Sequence, residues 1–471
     1  MADIQPVELI PVLEKGLKAD QANLKSWDNY YEGNQPLKYM SEAMREELGD
    51  SVAELVINWA RLVADAYETR LDIEGFRFAD SDSGDDDLWH AWQYNQMDEQ
   101  SQQAHLDSLA LSRSYVTVGS NPESGRPPLI SVESPFQVWA QRDARTRRVN
   151  AAIKQWTDLD DVAHTIVYTP TTIASFLKGK SGWEADGSPD NHNFGVVPVV
   201  PLVNRPRISR PDGITEFYDL LDLADAANKM ATDMMISGEF HAMPRRYAFG
   251  LKQSDFVDRN GTPVSAWSML KNRIWANEDP NVKVGTFTES DLAVFHNTIK
   301  LLAQLVSQIA ALPPHYMQFA GSNPASADAI KSSETQLVKR VERKQTYLGG
   351  AWEDVQRLSL MFTRGKAELE DRDFKLETVW RDPSTPTVAQ KADAAVKLYQ
   401  SGVVPLEQTW IDLGYSDTQR KQMKAMADAE VDSSPAARFA RSSDGMGAGV
   451  SVDANVSTVE PTDAGGVDVS A

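Results

Sequence analysis

The chain has 471 residues, enough for two to four domains with sizeable cores, and its hydrophobic fraction of 41% is that of an ordinary globular protein. It contains no cysteine, which excludes disulfides and thiolate metal sites. Its formal net charge of -21 argues against a protein that wraps the DNA phosphate backbone tightly, because such proteins replace counterions with lysines and arginines. No signal peptide is visible and no apolar run reaches the roughly 18 residues of a membrane span, so we expect a soluble protein without a membrane partner.

The N-terminal third is predicted to be mainly helical. Helical patterns cover residues 7–31, 37–48 and 52–71, and Gly75 closes the last of these. One face of that helix is marked by Leu55, Trp59, Leu62, Ala66 and Leu71. A further helix runs from Trp89 to Ser112. The acidic stretch before it, residues 80–87, lacks the internal glycine and final glutamate of a calcium loop, which favours a solvated turn.

Between residues 116 and 202 the hydrophobic period changes to two, which predicts a layer of β hairpins. Strands are expected over residues 130–132, 149–156, 164–168 and 173–176, with a buried edge strand over 196–202, where proline is tolerated. Gly179-Lys180-Ser181 resembles the end of a phosphate-binding loop. However, Ala174 stands where that loop needs its first glycine, so we predict a hairpin turn instead.

Two long helices then flank a small insert. The first begins near Thr215 and ends before Pro244, and the second covers residues 290–312. The insert, residues 245–287, is predicted to contain strands at 247–249, 273–275 and 282–287, a turn at Asn260-Gly261 and a short helix at 267–270. A short loop over residues 313–322 returns the chain to the next helix.

Residues 323–362 predict one very long helix. Asn323 supplies a cap and Pro324 suits the first helical position. An apolar stripe faces a partner, and the remaining surface, which includes Lys344, carries charges of both signs and is expected to be exposed. The stripe consists of Ile330, Leu337, Val341, Leu348, Trp352, Val355, Leu358 and Phe362. At about 1.5 Å per residue the helix would span roughly 60 Å, with a kink at Gly349-Gly350.

The C-terminal part offers only a few short helices over residues 386–429. After Val431 the composition turns to Ser, Gly, Ala, Asp and Val, which cannot bury a core, so this tail is predicted to be disordered.

Catalytic signatures are absent from the sequence. There is no Gly-x-Ser-x-Gly elbow, no His-Glu-x-x-His pair and no complete phosphate loop, and none of the seven histidines forms an i, i+4 helical pair with another. No pair of carboxylates stands out for acid/base work. We therefore expect no catalytic residue, no metal and no cofactor.

The order of these elements, with several short motifs, resembles the portal (head–tail connector) proteins of tailed double-stranded DNA bacteriophages, of the siphovirus type. The motifs are spread over most of the chain. They are Tyr30-Tyr31-Glu32-Gly33-Asn34, the stretch from Asn58-Trp59 to Gly75-Phe76, Gly195-Val196-Val197-Pro198-Val199-Val200, Pro244-Arg245-Arg246, Leu312-Pro313-Pro314 and Asn323-Pro324-Ala325-Ser326-Ala327-Asp328-Ala329. Residues 391–426 also resemble the helical crown of that family.

The resemblance implies an α+β, mostly helical portal fold that assembles as a ring. It implies a wing formed by residues 1–210 and 323–385, and stem helices over 211–243 and 289–312. Residues 244–288 would form the clip, 313–322 the tunnel loop, 386–430 a reduced crown and 431–471 the acidic tail.

The same resemblance implies roles for individual residues. Apolar stem residues would lie partly between neighbouring subunits: Leu220, Met234, Phe295, Leu302 and Ile309. Clip residues Asn260, Trp267 and Trp275 would dock partner proteins, although the two tryptophans could instead be core. Four large side chains would face DNA from the tunnel loop: His315, Tyr316, Gln318 and Phe319. The alternative is that Tyr316 and Phe319 pack down on the wing.

By resemblance, the chain forms a homo-oligomeric ring, commonly of twelve subunits, at one vertex of the capsid. Double-stranded DNA would pass through it during packaging and ejection, and the ATP-driven motor would be a separate terminase. A head-completion or adaptor protein, the major capsid protein and the scaffold protein are the other expected partners, met in the host cytoplasm and in the virion. Two other classes remain open, a hydrolase without a visible motif and a non-ring capsid or scaffold protein.

Overall fold

A computed structural model describes residues 5–36, 38, 55–81, 84–242, 246–249, 283–286, 292–317, 327–384, 388–415 and 417–433. Its helices are α1 (Pro6–Ala19), α2 (Gln21–Glu32), α3 (Trp59–Glu68), α4 (Asp86–Tyr94), α5 (Met97–Leu111), α6 (Leu221–Ala242), α7 (Ala293–Ala310), α8 (Ala327–Arg364), α9 (Val388–Gln400), α10 (Leu406–Asp412) and α11 (Asp417–Ser433). Its strands are β1 (Ile73–Phe78), β2 (Arg113–Gly119), β3 (Leu129–Glu133), β4 (Val138–Arg142), β5 (Val149–Thr157), β6 (Ala163–Tyr168), β7 (Ile173–Gly179), β8 (Gly182–Ala185), β9 (Val199–Val203), β10 (Arg246–Phe249), β11 (Lys283–Thr286) and β12 (Leu376–Trp380). The chain divides into two compact units, residues 1–385 and 386–471.

The β layer confirms the period-two prediction. Strands β4 to β8 form an antiparallel meander in sequential order. One face of this sheet packs against Ile10, Leu13 and Leu17 of α1, and the other face packs against Tyr115 and Val199. The four strands predicted by alternation correspond to β3, β5, β6 and β7. Strands β2, β4 and β8 were not predicted individually.

A second sheet has the order β3-β2-β9 and joins the meander to the helices. Strand β9 lies at its edge, as the prolines predicted, and Pro201 pairs with Tyr115 of β2. The Gly-Lys-Ser motif lies in the turn of the β7–β8 hairpin, where Gly179 pairs with Gly182. This confirms the hairpin interpretation of that motif.

The N-terminal helices differ in detail from the prediction. The first helical region breaks at Asp20 into α1 and α2, and the region from Trp89 to Ser112 falls in α4 and α5. Helix α3 begins at Trp59, not at residue 52, because the Asn58 side chain caps it by accepting a hydrogen bond from Arg61 N at 3.0 Å. The predicted helix over 37–48 lies outside the described residues apart from Lys38.

The predicted face of α3 was partly right, since Trp59 and Leu71 are buried. The buried residues of the helix are Trp59, Ala60, Val63, Ala64 and Tyr67. Leu62 and Ala66 are half-buried and pack against the main core, whereas Leu55 is 41% exposed in the segment before the helix. Gly75 does not end this helix but lies inside β1, which pairs antiparallel with β12.

The long helix α8 confirms the predicted rod over its described part, and its stripe is the centre of the main core. Leu337, Val341, Trp352 and Val355 are fully buried. Most of the charged surface is exposed, as predicted, and includes Lys339 and Glu342. Glu334 and Lys344, which lie beside the stripe, are buried instead, so the expectation of exposure was wrong for Lys344.

The glycine pair does not interrupt α8, which runs through Gly349 and Gly350. A Cβ atom on Gly349 would lie 3.0 Å from Trp380 Nε1, and the Thr378 hydroxyl donates to Gly349 O at 3.1 Å. Gly349 therefore allows β12 to approach the helix closely. The predicted kink stays a prediction.

The insert between α6 and α7 contains the expected outer strands, since β10 pairs antiparallel with β11. Asn260, Trp267 and Trp275 lie outside the described residues. The second unit contains the short helices α9 to α11, in agreement with the few short helices predicted there. In the described ranges, no helix combines the length and apolarity needed to cross a membrane.

An aromatic cluster with one buried histidine ties α4, α5 and α8 together. The Trp352 and Trp92 rings lie 5.0 Å apart, and Trp352 Nε1 donates to His105 Nε2 at 2.8 Å. His105 is fully buried, and this burial lowers its pKa to about 3. The imidazole is therefore neutral and carries its proton on Nδ1.

We expect His105 to make stability fall as the solution becomes acidic. Below about pH 6.5 the unfolded chain takes up a proton that the folded chain excludes, so the stabilisation is complete above that pH and declines toward pH 3. His105→Gln keeps a neutral acceptor for Trp352. Between pH 7 and pH 5 the parent should lose about 2 kcal/mol more unfolding free energy than this variant.

Urea unfolding at one fixed protein concentration measures this difference. The exposed residue His90 supplies the control, because His90→Gln should retain the pH dependence of the parent. The same pH dependence in His105→Gln and the parent would contradict the prediction.

Candidate functional site

A buried ammonium group lies where the long helix meets the start of the helix pair. Lys344 Nζ donates to Glu216 Oε2 at 2.5 Å and to Asn204 Oδ1 at 2.7 Å. The Lys344 and Glu216 side chains are only 8% and 4% exposed. The ammonium also lies 4.9 Å from the centre of the Tyr67 ring. One cation therefore joins α8, α3, the end of β9 and the segment that leads into α6.

Neighbouring groups complete this polar cluster. Asn204 Nδ2 donates to Ile214 O at 2.9 Å and to Glu216 Oε2 at 3.1 Å. The Tyr67 hydroxyl donates to Ala310 O at 2.6 Å, at the end of α7. Burial lowers the pKa of Lys344, and the Glu216 carboxylate opposes that shift. The cluster thus fixes both helices of the pair relative to α8.

Arg70 forms a second junction beside the first. Its Nη1 donates to Pro383 O at 2.6 Å, and its Nη2 donates to the Tyr316 hydroxyl at 3.0 Å and to Glu334 Oε1 at 3.2 Å. The Arg70 and Glu334 side chains are nearly buried. The guanidinium therefore holds the end of α3, the loop after α7, the first turns of α8 and the segment after β12.

The loop after α7 begins as a short 3-10 turn, Pro314–Tyr316. Tyr316 packs against the main core and bonds to Arg70, which favours the alternative that this aromatic side chain lies on the wing. Whether Tyr316 also faces DNA stays a prediction. His315 remains exposed, whereas Gln318 and Phe319 lie outside the described residues. An open groove of about 480 Å³ runs beside Tyr316, lined by Asn58, Arg61, Leu62, Asp65, Ala66 and Thr69.

Polar residues on the inner face of α6 attach this helix to the N-terminal region. Asp225, almost fully buried, accepts hydrogen bonds from the Tyr30 hydroxyl at 2.8 Å and lies 2.7 Å from Lys38 Nζ. Asn228 Oδ1 accepts from Ile57 N at 2.7 Å. The sequence analysis missed both anchors, since it treated α6 by its apolar face alone.

Helix α7 is apolar on two opposite faces. Its inner face, with Ile299, Ala303 and Val306, is buried in the main core. Four apolar residues point outward, exposed by 61%, 56%, 38% and 40%: Val294, Leu301, Leu305 and Ile309. We call these four residues the outer stripe. Lys300 is the one Lys, Arg, Asp or Glu residue of this helix.

The predicted stem residues therefore separate into three groups. Leu220 is 2% exposed and belongs to the core of its own chain, so its assignment to a subunit interface was wrong. Phe295, Leu302 and Met234 are half-buried, and Ile309 is exposed within the outer stripe. The sequence periodicity missed Val294, Leu301 and Leu305, because a helix that is apolar on both sides has no single stripe to identify.

Comparison with known proteins identifies the family. The model of the phage portal protein family, SPP1 Gp6-like, matches residues 12–435. This chain belongs to that family. It is similar to the portal protein of Mycobacterium phage D29, with 35% identity over 87% of this chain and 86% of the relative. It is also similar to the portal protein of Mycobacterium phage L5, with 34% identity over 90% of this chain and 88% of the relative.

The family assignment confirms the resemblance deduced from the motifs, and it favours the portal interpretation over the hydrolase and the non-ring scaffold protein. In this portal-family chain, the features described above take on specific candidate roles. The outer stripe is a candidate assembly surface, and the Lys344 and Arg70 junctions are the supports that hold it and the following loop in place.

Removal of the buried ammonium should cost this portal-family chain much of its stability. Lys344→Met keeps a similar apolar chain but leaves the Glu216 carboxylate buried without its cation, at an expected cost of about 3–5 kcal/mol. Lys339→Met is the matched control on the same helix. Lys339 is 70% exposed in its pair with Glu342, so its loss should cost less than about 1 kcal/mol.

Urea unfolding of both variants beside the parent measures the two costs. We also expect Glu216→Gln combined with Lys344→Met to recover part of the loss, because no unpaired charge then remains buried. A Lys344→Met protein as stable as Lys339→Met would show that this pair does not support the junction.

Proposed function

We propose that this chain assembles into a ring, with twelve subunits expected, at one vertex of a phage capsid. DNA passes through the central channel during packaging and again during ejection. Residues 1–210 and 323–385 form the wing, α6 and α7 the stem, residues 244–288 the clip and 386–430 a small crown. The membership in the phage portal family supports this proposal.

The outer stripe of α7 carries the proposal. Isolated exposed apolar side chains are normal, but four on one face of one helix form a continuous patch that no described residue covers. The inner face of the helix is already occupied by the core of its own chain. A neighbouring subunit is the natural cover, because obligate subunit interfaces resemble a domain core cut in two.

The charge of the chain suits a channel through which DNA slides. With a net charge of -21 per subunit, the ring surrounds duplex DNA with an overall like charge, which disfavours tight binding to phosphate. Such a channel needs no catalytic group, metal or cofactor of its own. The energy for packaging comes from a separate terminase that hydrolyses ATP.

The clip provides the docking surface for other proteins. Asn260, Trp267 and Trp275 are the candidate residues that contact terminase during packaging and the head-completion or adaptor protein afterwards. The wing contacts the major capsid and scaffold proteins. Assembly takes place in the host cytoplasm, and the finished ring belongs to the virion.

Charging the outer stripe should prevent ring assembly. Leu301→Asp places a carboxylate in an apolar interface, at a cost of several kcal/mol for each subunit. Gln304→Asp is the matched control, since Gln304 is exposed on the polar side of the same helix. Size-exclusion chromatography with light scattering should show rings for the parent and the control but monomers for Leu301→Asp.

Negative-stain images provide the second readout of that experiment, because a portal ring shows a central hole. Circular dichroism checks that Leu301→Asp remains folded, as its exposed position predicts. Rings of unchanged size in Leu301→Asp would remove the outer stripe from the interface. Parent particles without a central hole would favour the non-ring capsid or scaffold protein.

The distal part of the loop after α7 should act on DNA while its first residues act as an anchor. Gln318→Gly combined with Phe319→Gly removes two large side chains but keeps the bond between Tyr316 and Arg70. Rings should form normally, and nuclease-protected DNA per particle should fall severalfold. Protected DNA at the parent level, with rings confirmed, would show that Gln318 and Phe319 play no part in packaging or retention.

A further inference from the structure

Charge is distributed unevenly along the five-stranded sheet. The turn between β4 and β5, residues 142–148, contains four arginines and one aspartate. The turn between β5 and β6, residues 158–161, contains three aspartates and no cation. Since β5 has nine residues at about 3.3 Å each, the two turns lie at opposite ends of the sheet, roughly 30 Å apart.

A second arginine-rich loop reinforces the basic end. Residues 205–210 contain three arginines, and Arg142 Nε lies 3.7 Å from Asp212 Oδ1, so the bases of the two loops meet. Arg207 and Arg210 exchange backbone hydrogen bonds of 3.1 and 2.9 Å, which makes a tight turn. Ile208 at the tip is 86% exposed. We call residues 142–148 and 205–210 together the basic arms.

Part of the charge of the basic arms is used within the chain, since Arg142 and Arg205 form ion pairs and Arg210 lies over the Tyr218 ring. The Asp143 carboxylate accepts hydrogen bonds from Arg145 N at 3.1 Å and from Thr146 N at 2.7 Å. Within the part of the chain that the structure describes, Arg145, Arg147 and Arg207 have no ion-pair partner within 4 Å. These guanidinium groups are therefore available to another molecule.

Arg147 also occupies a costly backbone position. Its φ of 59° lies in the left-handed region, where the backbone conformational energy is lower for glycine or asparagine than for arginine. Arg205 has a φ of 48°, but it bonds to Asp219 at 2.7 Å, which explains its presence. The turn requires this backbone, because Arg147 N donates to Asp143 O at 2.8 Å. Within the described residues, however, no ion pair offsets the cost of placing an arginine in this left-handed position.

The opposite end, which we call the acidic tip (residues 158–161), has a complementary design. Asp158 is used internally, because it accepts from Asp160 N and Val162 N at 2.9 Å each. Asp160 and Asp161 are exposed. Leu159, which directly precedes them, is fully exposed, at 103%. An exposed apolar residue therefore lies beside negative charge at the acidic tip (Leu159) and beside positive charge at the basic arms (Ile208).

We propose that the basic arms of one subunit dock on the acidic tip of the next subunit in the ring. This inference depends on the ring proposed above. A ring is a head-to-tail assembly, so each subunit must present two different and complementary surfaces. Subunits that each carry a charge of -21 repel one another, and a contact of opposite charges offsets that repulsion and sets the register.

Duplex DNA is the other partner that arginines fit, because guanidinium groups bind phosphate in a bidentate manner. The strong negative charge of the whole chain disfavours that partner, whereas it makes a second copy of the chain a natural one. The experiment below separates the two.

Charge reversal on each surface provides the test. The arm variant carries Arg147→Glu and Arg207→Glu, and the tip variant carries Asp160→Arg and Asp161→Arg. Each alone places like charges in contact, so the protein concentration for half-assembly should rise at least about tenfold. A mixture of the two variants should assemble again, because an alternating ring pairs opposite charges at every contact.

Arg126→Glu with Lys25→Glu is the control for charge reversal at exposed sites outside the arms.

A third variant covers the case in which the reversed proteins fold poorly. Arg147→Gly should raise the melting temperature of the subunit, because it relieves the left-handed strain, and yet weaken assembly. A residue with a purely structural role would not separate these two effects.

The outcomes are distinct. Rings from either reversed variant at the parent concentration, or a mixture that fails to assemble, would overturn the inference while the ring itself stands. An arm variant that forms rings but binds a duplex oligonucleotide at least about tenfold less tightly than the parent would assign the arms to phosphate instead. Failure of the parent to form rings would contradict the proposed function.

Discussion

The buried contact between Lys344 and Glu216 is the constraint on which the rest of the main unit depends. An ammonium group inside a core is costly unless its hydrogen bonds and its counter-charge are all in place. Here they come from segments far apart in the chain, the end of β9 and the segment before α6, while the Tyr67 ring covers the cation. The contact forms only when these segments have reached their native positions, and it therefore selects one arrangement of α8 and the helix pair.

The orientation of α7 follows from that arrangement. Tyr67 bonds to the carbonyl of Ala310 and Arg340 bonds to the carbonyl of Ile309, so the C-terminal end of the helix is held from two sides. With its inner face fixed in the core, the outer stripe has a defined direction before any partner arrives. A preset surface lowers the ordering cost of association, which matters for the proposed ring because each subunit would make the contact twice.

The regular parts of the fold could be predicted from the sequence, and the junctions could not. Period-two alternation located β5, β6 and β7, and the stripe of α8 located its buried residues, because both patterns are local. Lys344 was placed on a solvated face because its partner Glu216 is 128 residues away, and no local pattern reports such a contact. The prediction that Leu220 lies at a subunit interface was wrong for a related reason, since this residue belongs to a short turn that packs inward before α6 begins. The face of α3 was only partly identified, because Leu55 and Leu71 were counted in its stripe although the helix begins after the cap at Asn58 and ends at Glu68.

The first residues of the loop after α7 are held in place by hydrogen bonds to the rest of the main unit. Tyr316 is tied to Arg70, and the same guanidinium bonds to Glu334 and to the carbonyl of Pro383. Force on the loop would have to break the hydrogen bond between Arg70 and the Tyr316 hydroxyl. This bond lies in a nearly buried site, where Arg70 is held in place by its bonds to Glu334 and to the carbonyl of Pro383. Force applied beyond Tyr316 would therefore pass into α8 and the segment after β12 instead of unwinding α7. Arg70 therefore restrains the loop where it leaves α7, while His315, whose ring contacts that of Tyr316, stays exposed.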